Sequence, residues 1–170
     1  MRTRKGFTIV EVSLVVAIGG LILVGALVAV PNLLRLARDS QRKTDMEKLV
    51  SALKKYQTNN NRGALPDINN LTEWNDFYHN FLGDNFADPN EPNYRIIISN
   101  CTSSLGTTCG QVTNTGFGAS LFNSEFPNGY VMFVMTSAKC QDNDPIRSSN
   151  QRKFAVLYRL ETNDLFCLDG

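Results

Sequence analysis

From Val12 to Leu34 the chain carries no charged side chain, and this run, VSLVVAIGGLILVGALVAVPNLL, constrains the fold more than any other feature of the 170 residues. A helix of twenty-three residues reaches roughly 35 Å, enough for a hydrocarbon core of about 30 Å. A secretory signal peptide also joins a basic start to an apolar stretch. Its stretch is shorter, however, and ends at a small-residue cleavage site followed by polar chain. Here the periodicity continues: Met46, Leu49, Val50, Leu53 and Tyr56 recur at helical spacing, with Lys48, Lys54 and Lys55 on other faces. The expectation is one helix over residues 7–62, about fifty residues and roughly 80 Å long, ending at the Asn59–Gly63 terminator. Its first half is apolar all round, with a membrane span over about 12–34, and its second half has one apolar stripe.

Beyond Gly63 the composition turns to Asn, Asp, Gly, Thr and Ser, and residues 63–170 read as a globular head. A short helix is expected with apolar Leu71, Trp74, Phe77, Tyr78, Phe81 and Leu82, opened by Asn70 as N-cap and Glu73 as its capping-box partner. At that spacing the aromatics read as core rather than as a stacking surface for sugar or DNA. Four β-rich runs follow at Tyr94–Ser99, Tyr130–Ser137, Phe154–Leu160 and Leu165–Leu168, with Thr162-Asn163-Asp164 as a hairpin turn. They predict an α+β fold in which a small antiparallel sheet packs one face on the stripe of the long helix.

Lys and Arg number 17 against 16 Asp and Glu, which gives no general reason to expect a nucleic-acid partner. With His79 as the single histidine, a His-rich zinc site and a Ser-His-Asp relay are both nearly excluded, so no metal, cofactor or enzymatic activity is expected. Asp142-Asn143-Asp144 and the group Asp84, Asp88 and Glu91 hold oxygens enough for calcium but lack EF-hand spacing, and read as solvated turns. Arg147, Arg152, Lys153 and Arg159, interleaved with Asp and Asn, read as ordinary surface rather than a DNA contact. Arg2, Arg4 and Lys5 flank one end of the apolar run and Arg35, Arg38, Arg42 and Lys43 the other, so loop charge alone does not orient the span.

At the start of the span, Lys5-Gly6-Phe7-Thr8-Ile9-Val10-Glu11 places a carboxylate where lipid makes one costly, and such residues are functional by default. A helix-start acid favoured by the macrodipole is the plainer reading. With its basic leader ending in Gly6, then Phe7, then Glu11 in the fifth position after that glycine, the sequence resembles the type IV pilin-like family, which includes pilins and the pseudopilins of type II secretion. The resemblance is specific over residues 1–60 and general beyond. It implies a leader at 1–6, cut after Gly6 by a membrane prepilin peptidase that N-methylates Phe7. Subunits then leave the bilayer through an assembly platform and pack their helices into a filament, where Glu11 pairs with a neighbour's Phe7 amine. Many relatives carry a helix-kinking proline about three residues earlier than Pro31, so Pro31 is given that role here, with Gly19 and Gly20 as weak points. The implied location is a single-pass membrane protein with its head outside the cytoplasm, then a surface filament. The main expectation is a type IV pilus subunit that partners copies of itself. The alternatives are a type II secretion pseudopilin and a membrane-anchored extracellular binding or adhesion protein.

Four cysteines allow three pairings. Cys101 and Cys109 bracket a Gly/Thr/Ser loop, and Cys140 and Cys167 would close the segment holding the last two strands, as in the C-terminal disulfide loops common in the resembling family. The expectation is 101–109 with 140–167, in an oxidising compartment.

Overall fold

The computed structural model describes residues 6–60, 63–83, 86–90, 93–102, 104–106, 109, 131–162 and 164–170. Met1–Lys5 of the leader, Asn61 and Arg62 at the expected helix end, Asp84, Glu91, Tyr130 and Asn163 lie outside them. The chain divides into two compact units, Met1–Ala37 and Arg38–Gly170. One helix, α1 (Ile9–Asn59), supplies residues to both. In the first unit every described residue from Gly6 to Ala37 is exposed, and the helix continues through Pro31. By length and composition it can cross a membrane. It starts two residues later than expected and ends at Asn59, after which Gly63 turns the chain at a φ of +63°.

In the second unit, α1 buries Met46, Leu49, Val50 and Leu53 in one cluster with Met132, Val134, Val156 and Tyr158. This is the stripe and the sheet face that the periodicity indicates. The sheet has four strands in the order β1 (Arg95–Asn100), β2 (Val131–Thr136), β5 (Phe154–Arg159) and β6 (Leu165–Asp169). The two central strands are buried on both faces. Phe133, Met135, Ala155 and Leu157 point away from the helix into a second cluster that holds Cys101, Cys109 and Cys167.

Two sequence expectations need correction. The sheet is mixed rather than antiparallel, because β1 pairs in parallel with β2, Arg95 opposite Val131 through Asn100 opposite Thr136. A parallel pair needs a connection of a dozen or more residues, and thirty residues of sequence separate Asn100 from Val131. Asp88 is not a solvated turn residue but is buried, 5% exposed. The turn expected at Asp142-Asn143 is present and exposed. It is the turn of a hairpin between β3 (Ala138–Gln141) and β4 (Asp144–Arg147). Asp142 and Asn143 both take positive φ, 50° and 68°, as the tight turns that match strand twist require.

The short helix, α2 (Leu71–Phe77), runs on into a π-helical turn, Tyr78–Leu82. Asn70 Oδ1 accepts from the Glu73 amide at 3.4 Å. The reciprocal half of the box is absent: Glu73 Oε1 accepts from Asp67 N at 3.2 Å and from the Tyr56 hydroxyl at 2.5 Å, tying α2 to α1. Phe77 is buried, with Tyr56 edge-on at 5.6 Å, so these rings are core.

Cys101 is bonded to Cys109 and Cys140 to Cys167, leaving no free cysteine. Closing 27 residues of sequence separation contributes about 3 kcal/mol. Replacing Cys140 and Cys167 together by Ala should destabilise the head by that amount in denaturant unfolding. Free-thiol titration of the non-reduced, denatured parent should find essentially none.

A buried ionic network fixes α1 to two loops of the head. Arg42, with its side chain 2% exposed, donates from Nε to Asp88 Oδ2 at 2.8 Å and from Nη1 to Glu161 Oε1 at 2.8 Å. Asp88, fully buried, also accepts from the Tyr158 hydroxyl at 3.1 Å. Arg38 grips Glu161 with two parallel bonds of 2.7 Å. These residues are therefore engaged in the head fold, not simply charges flanking the span. The Arg38 hydrogen bond, followed by those of Arg42 and against the opposing pull of burial, holds the Glu161 carboxyl down to about 2. A carboxyl whose pKa is depressed on folding gives stability that is full above its unfolded value, about 4.3, and is lost as pH falls toward 2. Head stability should drop on the order of 2 kcal/mol over that window through this residue. Thermal melts of Glu161→Gln should lack that share of the decline.

Candidate assembly site at the start of the helix

The first helical turn is closed by side chains that follow one another in sequence. Thr8 precedes the first helical residue, and its Oγ1 accepts from the Glu11 amide at 3.2 Å. In return Glu11 Oε2 accepts from the Thr8 amide and from the Thr8 hydroxyl, each at 2.9 Å. This is a reciprocal capping box, and it satisfies amide donors that an α-helix start otherwise leaves without partners. The sequence reading missed Thr8. The signal was present as Thr-x-x-Glu ahead of an apolar run.

The box gives Glu11 a function inside a single chain. Its carboxylate already holds two hydrogen bonds, which lowers the cost of placing it at a lipid boundary. Both bonds fall on Oε2, and a carboxylate has a second oxygen with which to accept. Phe7, 89% exposed, immediately precedes the amide that Glu11 holds, so an amine created at Phe7 would lie one residue from this bond.

Of the other residues singled out, Gly19 and Gly20 lie in α1, with nothing within 4 Å of a Cβ at either position. Pro31 lies inside the same helix, where the Asn32 side chain donates to the Val28 carbonyl at 3.4 Å. The four cysteines belong to the head and take no part in this site. Asp88 is held by Arg42 and Tyr158. Among the described residues no group of three or more His, Cys, Asp or Glu is placed to hold a metal ion.

Comparison with protein families places a match on this same segment. Residues 1–27 fit the model described as the prokaryotic N-terminal methylation motif, the hallmark of type IV pilins and pseudopilins. The chain therefore carries the processing signal of that class, and the motif supports a pilin- or pseudopilin-like precursor whose relatives are structural rather than enzymatic. It implies processing by a prepilin peptidase and assembly into filaments, and with the apolar helix it fits a membrane-anchored precursor. The match covers the leader and the first part of α1 and does not reach the head. Comparison with curated proteins found no match, and comparison with solved structures found none either.

Proposed function

We propose that this chain is the structural subunit of a type IV pilus, cut between Gly6 and Phe7, N-methylated on Phe7 and assembled through residues 7–37 of its helix. The observation that carries this reading is the carboxylate of Glu11, kept at the edge of a fully exposed apolar helix and bonded to the residue that would stand second in the mature chain. Apolar burial between helices is non-directional and sets no axial register. A desolvated ion pair between Glu11 and a neighbour's Phe7 amine penalises every register but one. In the lone subunit the capping box keeps the carboxylate satisfied until that amine arrives. Pro31, with Gly19 and Gly20, supplies the points where the helix bends or loosens as subunits pack.

The partners are then further copies of this chain, the peptidase, the assembly platform and, before assembly, the bilayer. The head lies outside the cytoplasm, where its disulfides persist. Electron microscopy of cells with and without this chain tests the reading. Surface filaments should vanish without it and return when it is resupplied. Normal filaments in its absence, together with loss of protein secretion, would move the assignment to a pseudopilin.

A further inference from the structure

Four cations of the head converge on one trough. A cavity of about 700 Å³ is lined by Arg147 and Lys153, and a second of about 590 Å³ by Lys54 and Arg152. The two adjoin, sharing Gln57 and Gly63, and each has the size of a ligand pocket. Among the described residues lining them there is no Asp or Glu. That segregation runs against the composition of the head, where residues 38–170 hold 13 Lys and Arg against 15 Asp and Glu.

The trough is also positioned by the fold. Gln57 Nε2 donates to the Arg152 carbonyl at 3.1 Å, docking the 150–153 turn on the end of α1. Asn150 Oδ1 accepts from the Arg152 amide at 3.0 Å and shapes that turn. Gly63, at positive φ, leaves room for the Arg152 guanidinium, whose Nε lies 3.1 Å from where a Cβ would stand. Arg147 is steadied by a bond from Nη1 to the Thr102 carbonyl at 3.3 Å.

The remaining lining chemistry selects the ligand. Thr58, Asn60, Asn100, Thr136, Ser137 and Gln151 offer hydroxyls and amides, and no described lining residue is aromatic. Single-stranded nucleic acid is held by aromatic stacking as well as by charge, and a stacking platform is absent from this lining. A chain of acidic sugars presents carboxylates to cations and hydroxyls to amides and hydroxyls.

We propose that this trough binds an acidic oligosaccharide, with its carboxylates on Lys54, Arg152 and Lys153 and its hydroxyls on Gln57 and the flanking polar side chains. The trough belongs to the head alone, so its binding stands or falls separately from the filament reading. The test is calorimetric titration of the full chain in detergent micelles with oligogalacturonate, a neutral galactose oligomer and single-stranded DNA of matched charge. Oligogalacturonate should bind saturably and weaken as salt is raised, and the neutral oligomer should bind at least about tenfold more weakly. Arg152→Gln with Lys153→Gln, melting like the parent, should lose about tenfold or more in affinity. Should that pair disturb the turn, Lys54→Gln on the exposed helix face should still lose severalfold. Lys55→Gln, which removes an equal charge outside the trough, should change affinity less than about twofold. Absence of saturable oligogalacturonate binding would overturn the proposal. So would an equal loss from Lys55→Gln, or DNA binding as tightly with the same dependence on Arg152 and Lys153.

Discussion

A Glu11→Gln subunit should be inserted in the membrane and cleaved like the parent, yet build few filaments. Glutamine keeps an acceptor oxygen at the third helical position, so it preserves the bond from the Thr8 amide and the helix start. What it loses is the charge. Breaking one partner of a buried ion pair costs about 3–5 kcal/mol, which reduces productive subunit addition by two to three orders of magnitude. Glu11→Leu loses cap and charge together and should be no better than Gln, whereas Glu11→Asp, with the charge on a shorter stem, should be intermediate. Filament counts by microscopy, read beside immunoblots for processed subunit, separate these outcomes. A Glu11→Gln strain with parental filament number and length would reduce Glu11 to a capping residue.

Arg42→Met should be the most damaging single change in the head. The methionine keeps much of the volume but takes the cation from two buried carboxylates: Asp88, left with the Tyr158 hydroxyl and the Asn90 amide, and Asp39, left with the Glu161 amide. An uncompensated buried carboxylate costs about 3–5 kcal/mol, a fall in Tm on the order of 10 °C for a unit of this size. Adding Asp88→Asn should recover part of that loss, because one of the two stranded charges goes with it. Thermal melts of the full chain in detergent would show this as a double-mutant cycle. A loss below about 1 kcal/mol for Arg42→Met would mean that water reaches the network.

The contrast between these two sites shows which physics a single sequence displays. The long helix, its buried stripe from Met46 to Leu53, the Asn70 cap and four of the six strands are periodic or local signals, and they stand in the structure where those signals fall. The parallel pairing of β1 with β2 joins residues more than thirty apart, and nothing local marks a strand as parallel. The β3–β4 hairpin was hidden because Asp142 and Asn143 are turn formers whose flanking strands are only four residues long. The Arg42 network was hidden for a further reason. Arg38 and Arg42 follow an apolar span and read as boundary charges, whereas their partners Asp88 and Glu161 come from distant loops. At the N-terminus the methylation motif was legible because it is a linear string of residues. Thr8 shows that the same string also encodes the helix start.

The most direct test is the intact mass of this chain in filaments sheared from the cell surface. The mass should correspond to a chain beginning at Phe7, bearing one added methyl group and two intact disulfides. Filaments that lack this chain, or contain it with Met1 retained, would contradict the account.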